Sequence, residues 1–151
     1  MTRQADQTVN ERQVALNVMA GADATQMAAI WAAWPTPPAF EAVRGPETGL
    51  VMVRGRAGGG GAPFNLGEAS VSRATIKLES GEIGHGYCLG RDLEKARVIA
   101  VFDALFQRDP VAVKTRVLAP VRAKGAAHDQ QRRNETAATK VDFFTMVRGD
   151  V

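Results

Sequence analysis

The chain is poor in the residues that build metal and thiol chemistry, with one cysteine, Cys88, and two histidines, His85 and His128, among 151 residues. A lone cysteine excludes an internal disulfide, so nothing calls for an oxidising compartment, and Cys88 reads as a small buried thiol. Two histidines and one cysteine cannot close a zinc site without carboxylates. His85 and Cys88 lie three apart on a predicted strand and therefore point to opposite faces, which excludes a shared metal. A nucleophilic Cys–His pair would need the fold to bring His128 to Cys88. Acidic residues are spread singly, so no acid–base pair stands out. No stretch approaches the ~20 apolar residues of a membrane span, and the polar start from Met1 to Asn10 lacks the apolar core of a signal peptide. The expectation is a cytoplasmic protein that does not enter a membrane.

What is present suits a globular fold: 45% of residues are apolar and 23% charged, enough to build a core in one unit. Residues 1–9 are expected to form a disordered extension and 10–151 a single α+β domain, with a partner-docking segment over about 108–151. The net charge of +3 is uneven. Residues 1–107 hold 10 Lys or Arg against 11 Asp or Glu, while 108–151 hold 9 against 5. That excess suits nucleic acid, a phosphorylated ligand or an acidic protein surface, and charge alone does not choose among them.

The spacing of Val14, Leu16, Val18 and Met19 predicts a short helix over 10–20. Asp23 with Gln26 reads as a capping box for a second helix carrying Met27, Ile30, Trp31 and Trp34 as a core stripe. Pro35, Pro37 and Pro38 end it. Four strands are expected over 39–44, 49–57, 68–78 and 83–90, separated by Pro46, the run Gly58-Gly59-Gly60-Gly61 and Ser80-Gly81, giving an antiparallel four-stranded meander flanked by helices. In the third strand Ala74, Ile76 and Leu78 share one face but Ala69 and Val71 the other, implying a bulge or cover on both sides. In the fourth, Gly84, Gly86 and Cys88 leave one face almost bare, ready to receive a helix of this chain or of a partner.

Asp92 is a candidate N-cap for a helix through Gln107 whose two apolar stripes, Val98/Val101/Leu105 and Ile99/Phe102/Phe106, are wider than a surface helix needs. Such a helix belongs in the middle of the fold or at a subunit contact. Gly84, Gly86, Cys88, Phe102 and Phe106 are therefore candidate interface residues, together with Phe143, Phe144 and Met146 of the apolar ending. Between them, 111–118 reads equally as strand or helix before Pro120 closes it. Residues 124–140 suit an exposed basic helix or an arm lying on another protein. The tail then ends as an apolar strand or docking segment.

The best candidate for chemistry is the glycine run, which either forms a hairpin tip or offers backbone N–H groups to a phosphate. It lacks the Gly-Lys-Ser/Thr ending of a P-loop and leads into a strand instead of a helix. Arg54 and Arg56 project from one face beside it. With Gly58, Gly59, Gly60, Gly61 and Arg73 they make up a candidate triphosphate- or phosphonate-binding set, with Arg44 nearby if the strands pair in order. No catalytic residue and no metal ligand is identified.

Glu47-Thr48-Gly49-Leu50-Val51, the glycine run ahead of Gly67-Glu68-Ala69, Ser72-Arg73-Ala74, Leu89-Gly90-Arg91-Asp92 and, above all, Val141-Asp142-Phe143-Phe144-Thr145-Met146-Val147-Arg148-Gly149 resemble the PhnG family of the carbon–phosphorus lyase pathway, in order and over roughly 10–150. The stretch before Asn10, the prolines at 35–38 and the nearly pure glycine loop depart from the family pattern. The resemblance implies a subunit of α-D-ribose 1-methylphosphonate 5-triphosphate synthase, a transferase complex that replaces the adenine of ATP by a phosphonate. It implies PhnH, PhnI, PhnJ and a PhnL-like subunit as partners. It also implies ATP with Mg as the complex's cofactor, with none bound by this chain alone, and a mainly structural role without a complete active site here.

Overall fold

The computed structural model describes the backbone of residues 2–139 and side chains from 10 onward. The apolar ending with Phe143, Phe144 and Met146 lies outside the described residues. Helices α1 (Thr2–Gly21) and α2 (Ala24–Ala32) precede strands β1 (Phe40–Arg56), β2 (Pro63–Leu78) and β3 (Ile83–Leu89). Helix α3 (Leu93–Arg108) follows, then α4 (Pro110–Val113), a π-helical turn (Lys114–Leu118) and α5 (Ala119–Ala138). The α+β class and the antiparallel meander, in the order β1-β2-β3, agree with expectation.

Among the described residues the sheet has three strands, not four. The two segments expected over 39–44 and 49–57 are one strand, because Gly45-Pro46 is absorbed as irregularities between Ala42 and Arg44 and between Arg44 and Glu47. β1 lies at the sheet edge, where a proline need not donate to a further neighbour, so Pro46 bends the strand without ending it. The change of face in β2 is no bulge: pairing runs unbroken through Val71, Ser72 and Arg73 on both sides, and Val71 and Ser72 are both buried.

α3 is the centre of the molecule. Every residue from Val98 to Phe106 is buried, which settles its two stripes as interior: the sheet covers one side and α1, α2 and α4 the other. Asp92 caps it as expected, accepting from the Lys95 N–H at 2.9 Å. The bare face of β3 receives α3 itself. A Cβ at Gly84 would collide with the Ala100 carbonyl, and one at Gly86 with that of Ala96, so an alanine stripe on the helix lies directly on the strand backbone. Gly84, Gly86, Cys88, Phe102 and Phe106, expected at a subunit interface, are thus interior contacts of this chain. Burial raises the Cys88 thiol above its ordinary value, against the pull of Lys95. Trp31 and Trp34 meet the Phe102 ring edge-on at 5.8 and 5.2 Å, as a core stripe should.

Three further expectations need correction. α1 starts at Thr2 instead of Asn10, so its backbone runs through the expected extension. Asp23 makes no side-chain cap for α2. It pairs instead with Lys124 at 2.9 Å, while Gln26 donates to the Pro120 carbonyl, because α5 packs beside this corner and competes for both side chains. Finally, Pro120, expected to close 111–118, sits inside α5; of the two readings left open for that segment the helical one holds, with Val113, Val117 and Val121 buried at four-residue spacing. The wide turn at Lys114–Leu118 makes room for the proline ring and its missing donor. From Arg122 onward α5 is exposed all round, in keeping with the exposed basic helix expected there.

Asp103, in the middle of α3, is a buried carboxylate whose role has no sequence motif. It accepts from Arg12 Nε and Nη2, both at 2.7 Å, and from the His85 N–H at 2.8 Å, pinning α1, α3 and β3 at one point. Replacing Asp103 with Ala strands the guanidinium and a strand N–H, and should cost about 3 kcal/mol. Gly86→Ala should cost about 3 kcal/mol or more by overpacking against Ala96, whereas Gly49→Ala, where a Cβ meets nothing within 4 Å, should stay within about 1 kcal/mol. Urea unfolding of the three variants measures both predictions, and equal midpoints for Gly86→Ala and Gly49→Ala would contradict the close-packing account.

Candidate functional site

β3 pairs only with the Val71–Lys77 part of β2. Beyond that point β1 and β2 continue together to Arg56 and Pro63, a two-stranded ribbon roughly 25 Å long at the usual rise per residue. α3 and the other helices pack on the three-stranded part. The ribbon is uncovered on both faces among the described residues. Leu50 and Met52 are exposed on one face; Val53, Phe64 and Leu66 are exposed as well, with Phe64 and Leu66 lying across Gly55 on the other face. Leu50 is 62% and Leu66 66% exposed. Five large apolar side chains on an isolated ribbon form a patch of the kind that marks interaction sites. A two-stranded hairpin is marginal in water unless something covers it.

The expected strand over 68–78 begins five residues earlier, at Pro63, which brings Phe64 and Leu66 into the ladder. Pro63 disguised this: a proline after glycines reads as a loop, but it opens the strand at the tip. Leu66 is the extra residue of a bulge, since Val53 pairs with Gly67 and Arg54 with Asn65.

The glycine run is the hairpin tip. Gly58 and Gly59 take positive φ of 58° and 78°, and the Gly61 N–H is taken by the Ala57 carbonyl at 2.9 Å. The turn therefore spends one of its amides internally instead of turning all of them toward a ligand. Arg56 Nη1 donates to the Gly61 carbonyl at 3.3 Å. Arg54 and Arg56 flank the tip, and neither makes a salt bridge among the described residues.

Arg73 does not join them. Arg54 pairs with Asn65, and Arg73 lies eight residues further along β2, roughly 26 Å away at the usual strand rise. It belongs to a second cluster at the root of the ribbon, where Glu47 accepts from Arg73 Nε and Arg44 Nε, both at 2.6 Å. The hydrogen bond from Arg73 chiefly holds the Glu47 carboxyl below its ordinary range, with Arg44 adding to it. The candidate anion set is thus divided between two places on the sheet. His85 is exposed and shares a 3.2 Å hydrogen bond between its Nδ1 and the Thr75 hydroxyl, while Cys88 faces inward. Among the described residues no group of three His, Cys, Asp or Glu side chains could hold a metal, and no helix is long and apolar enough to cross a membrane.

The family model for phosphonate metabolism protein PhnG matches residues 10–149. A protein of Rhizobium meliloti (strain 1021), alpha-D-ribose 1-methylphosphonate 5-triphosphate synthase subunit PhnG, is 51% identical over 146 residues, which cover 96% of this chain and 94% of the relative. A full-length match of that identity leaves the uncovered ribbon standing in the context of a subunit, and the chain belongs to the PhnG family.

Proposed function

We propose that the chain is an assembly subunit of α-D-ribose 1-methylphosphonate 5-triphosphate synthase and that its β-ribbon is the element that docks onto the other subunits. The relative's name supports the enzyme; the observation that carries the assembly role is the ribbon, apolar on both faces and unsupported by the helices. The family resemblance supplies PhnH, PhnI, PhnJ and a PhnL-like subunit as partners, a complex working in the cytoplasm, and ATP with Mg as its cofactor. Turnover then depends on this chain because the complex does, without this chain bringing a complete active site.

Docking should bury Leu50 on one face and Leu66 on the other, each contributing about 1.5 to 3 kcal/mol. Co-expression with the other subunits followed by size-exclusion chromatography and native mass determination should place the chain in a defined hetero-oligomer. A lone, well-behaved monomer under those conditions contradicts the reading. The double variant Leu50→Ser/Leu66→Ser should fold as before and lose at least about 100-fold in affinity for the complex.

A second reading is favoured by the pair Arg54 and Arg56, which stand at the tip without an acidic partner among the described residues. Carried by the ribbon into a neighbouring subunit, they and the glycine turn contribute to a composite triphosphate or phosphonate site. Arg54→Ala/Arg56→Ala should then lower turnover of the assembled complex about 10-fold or more while leaving assembly intact. Unchanged kinetics removes this reading.

A further inference from the structure

The ribbon has an open edge as well as open faces. β3 ends at Leu89, and the last cross-strand bond on that side runs from the Gly90 N–H to the Ser70 carbonyl at 2.8 Å. Gly90, with φ of 89°, then turns the chain away into α3. On the β3 side of β2, nothing among the described residues pairs with residues 63–69. Backbone groups of alternate residues in a strand point to alternate edges. Because Ser70 addresses the β3 side, Glu68 does too, and the bulge at Leu66 comes only after it. The Glu68 N–H and C=O therefore face the gap, in line with β3 and one strand-width from β2.

Exposed edges are usually blunted by lysine, by proline or by a covering loop. Here only Pro63, at the far tip, and the Glu68 side chain serve that purpose, and the exposed neighbours Phe64 and Leu66 work against it. A strand added in the gap would raise the ribbon from two strands to three, the number at which a sheet with an apolar face becomes stable in its own right. It would also lay its side chains beside Phe64 and Leu66 on one face and beside Ser70, Glu68 and Asn65, which separate it from Leu50 and Met52 of β1, on the other.

We infer that the open edge of β2 accepts an extended segment of another synthase subunit, which pairs antiparallel or parallel to residues 64–69 as a continuation of the line of β3. The inference rests on the proposed subunit role and specifies how the contact is made: main-chain bonds supply register, and apolar side chains on the Phe64/Leu66 face of the incoming strand supply affinity. A second copy of this chain is the poorer occupant, because twofold pairing of two such edges centred on Glu68 sets the two carboxylates opposite each other.

The subunit role is tested by the wild-type chain entering the hetero-oligomer; the edge is tested by variants that differ only in the backbone. Glu68→Pro removes the outward donor and leaves the β1 side of the ladder unchanged. It should keep the circular dichroism and melting temperature of the isolated chain, and bind the remaining subunits at least 10-fold more weakly. Glu68→Ala should bind as the wild type does. Equal binding by the proline and alanine variants overturns the inference. Should the proline variant fail to fold, a photo-crosslinker at Asn65 in the otherwise wild-type complex decides the matter. Adducts confined to one short segment of a different subunit support strand addition; adducts to a second copy of this chain, to its own residues 140–151, or to scattered surfaces overturn it.

Discussion

The fold depends on one close approach, the alanine stripe Ala96, Ala100 and Ala104 of α3 resting on the backbone of β3 at Gly84 and Gly86. With side chains of ordinary size on either side, helix and strand would stand further apart, and the other faces of α3 could not reach α1 and α2 at the same time. Phe102 is the counterpart on the far side, its ring enclosed by Trp31 and Trp34. Asp103 adds a directional constraint to this apolar contact. Its carboxylate takes both Arg12 donors and the His85 N–H, so α1 and β3 are fixed in rotation as well as in distance. A buried charge set this way confers register more than stability.

That same arrangement limits what the helices can cover. α3 is 16 residues long and lies across the three-stranded part of the sheet, while β1 and β2 are 17 and 16 residues long against 7 for β3. The excess strand length has nowhere to go but outward. It carries apolar side chains on both faces, two arginines at the tip and an edge unpaired among the described residues, a combination that costs stability in a free chain and is useful in a bound one. The docking role proposed for the ribbon gives that surplus a purpose.

Much of the interior was legible in the sequence because it is periodic. The two stripes of α3, the Trp pair and the bare glycine face all follow from spacing, and Asp92 caps where its position relative to the stripes says it should. What failed was punctuation. Gly45-Pro46 and Pro63 look like breaks, but both lie where proline costs little, one in an edge strand and one at the first residue of a strand. Pro120 stands behind a π-helical turn that accommodates it. Asp103 was invisible for a different reason: a single acid within an apolar helix has no local partner, and Arg12 is 91 residues away in sequence. The candidate anion set divides on register. Faces can be counted along one strand, but the pairing that sends Arg73 to Glu47 and leaves Arg54 near the tip follows from β2 starting at Pro63, a start that the proline disguised.

The central claim is that the ribbon is an interface and α3 is not. Hydrogen–deuterium exchange of the chain alone and within the assembled complex, followed over residues 48–70 and 93–108, tests it directly. The account predicts slow exchange in 93–108 in both states, and fast exchange in 48–70 that slows on assembly. Ribbon amides that exchange equally in both states, or α3 amides that become protected only in the complex, would contradict it.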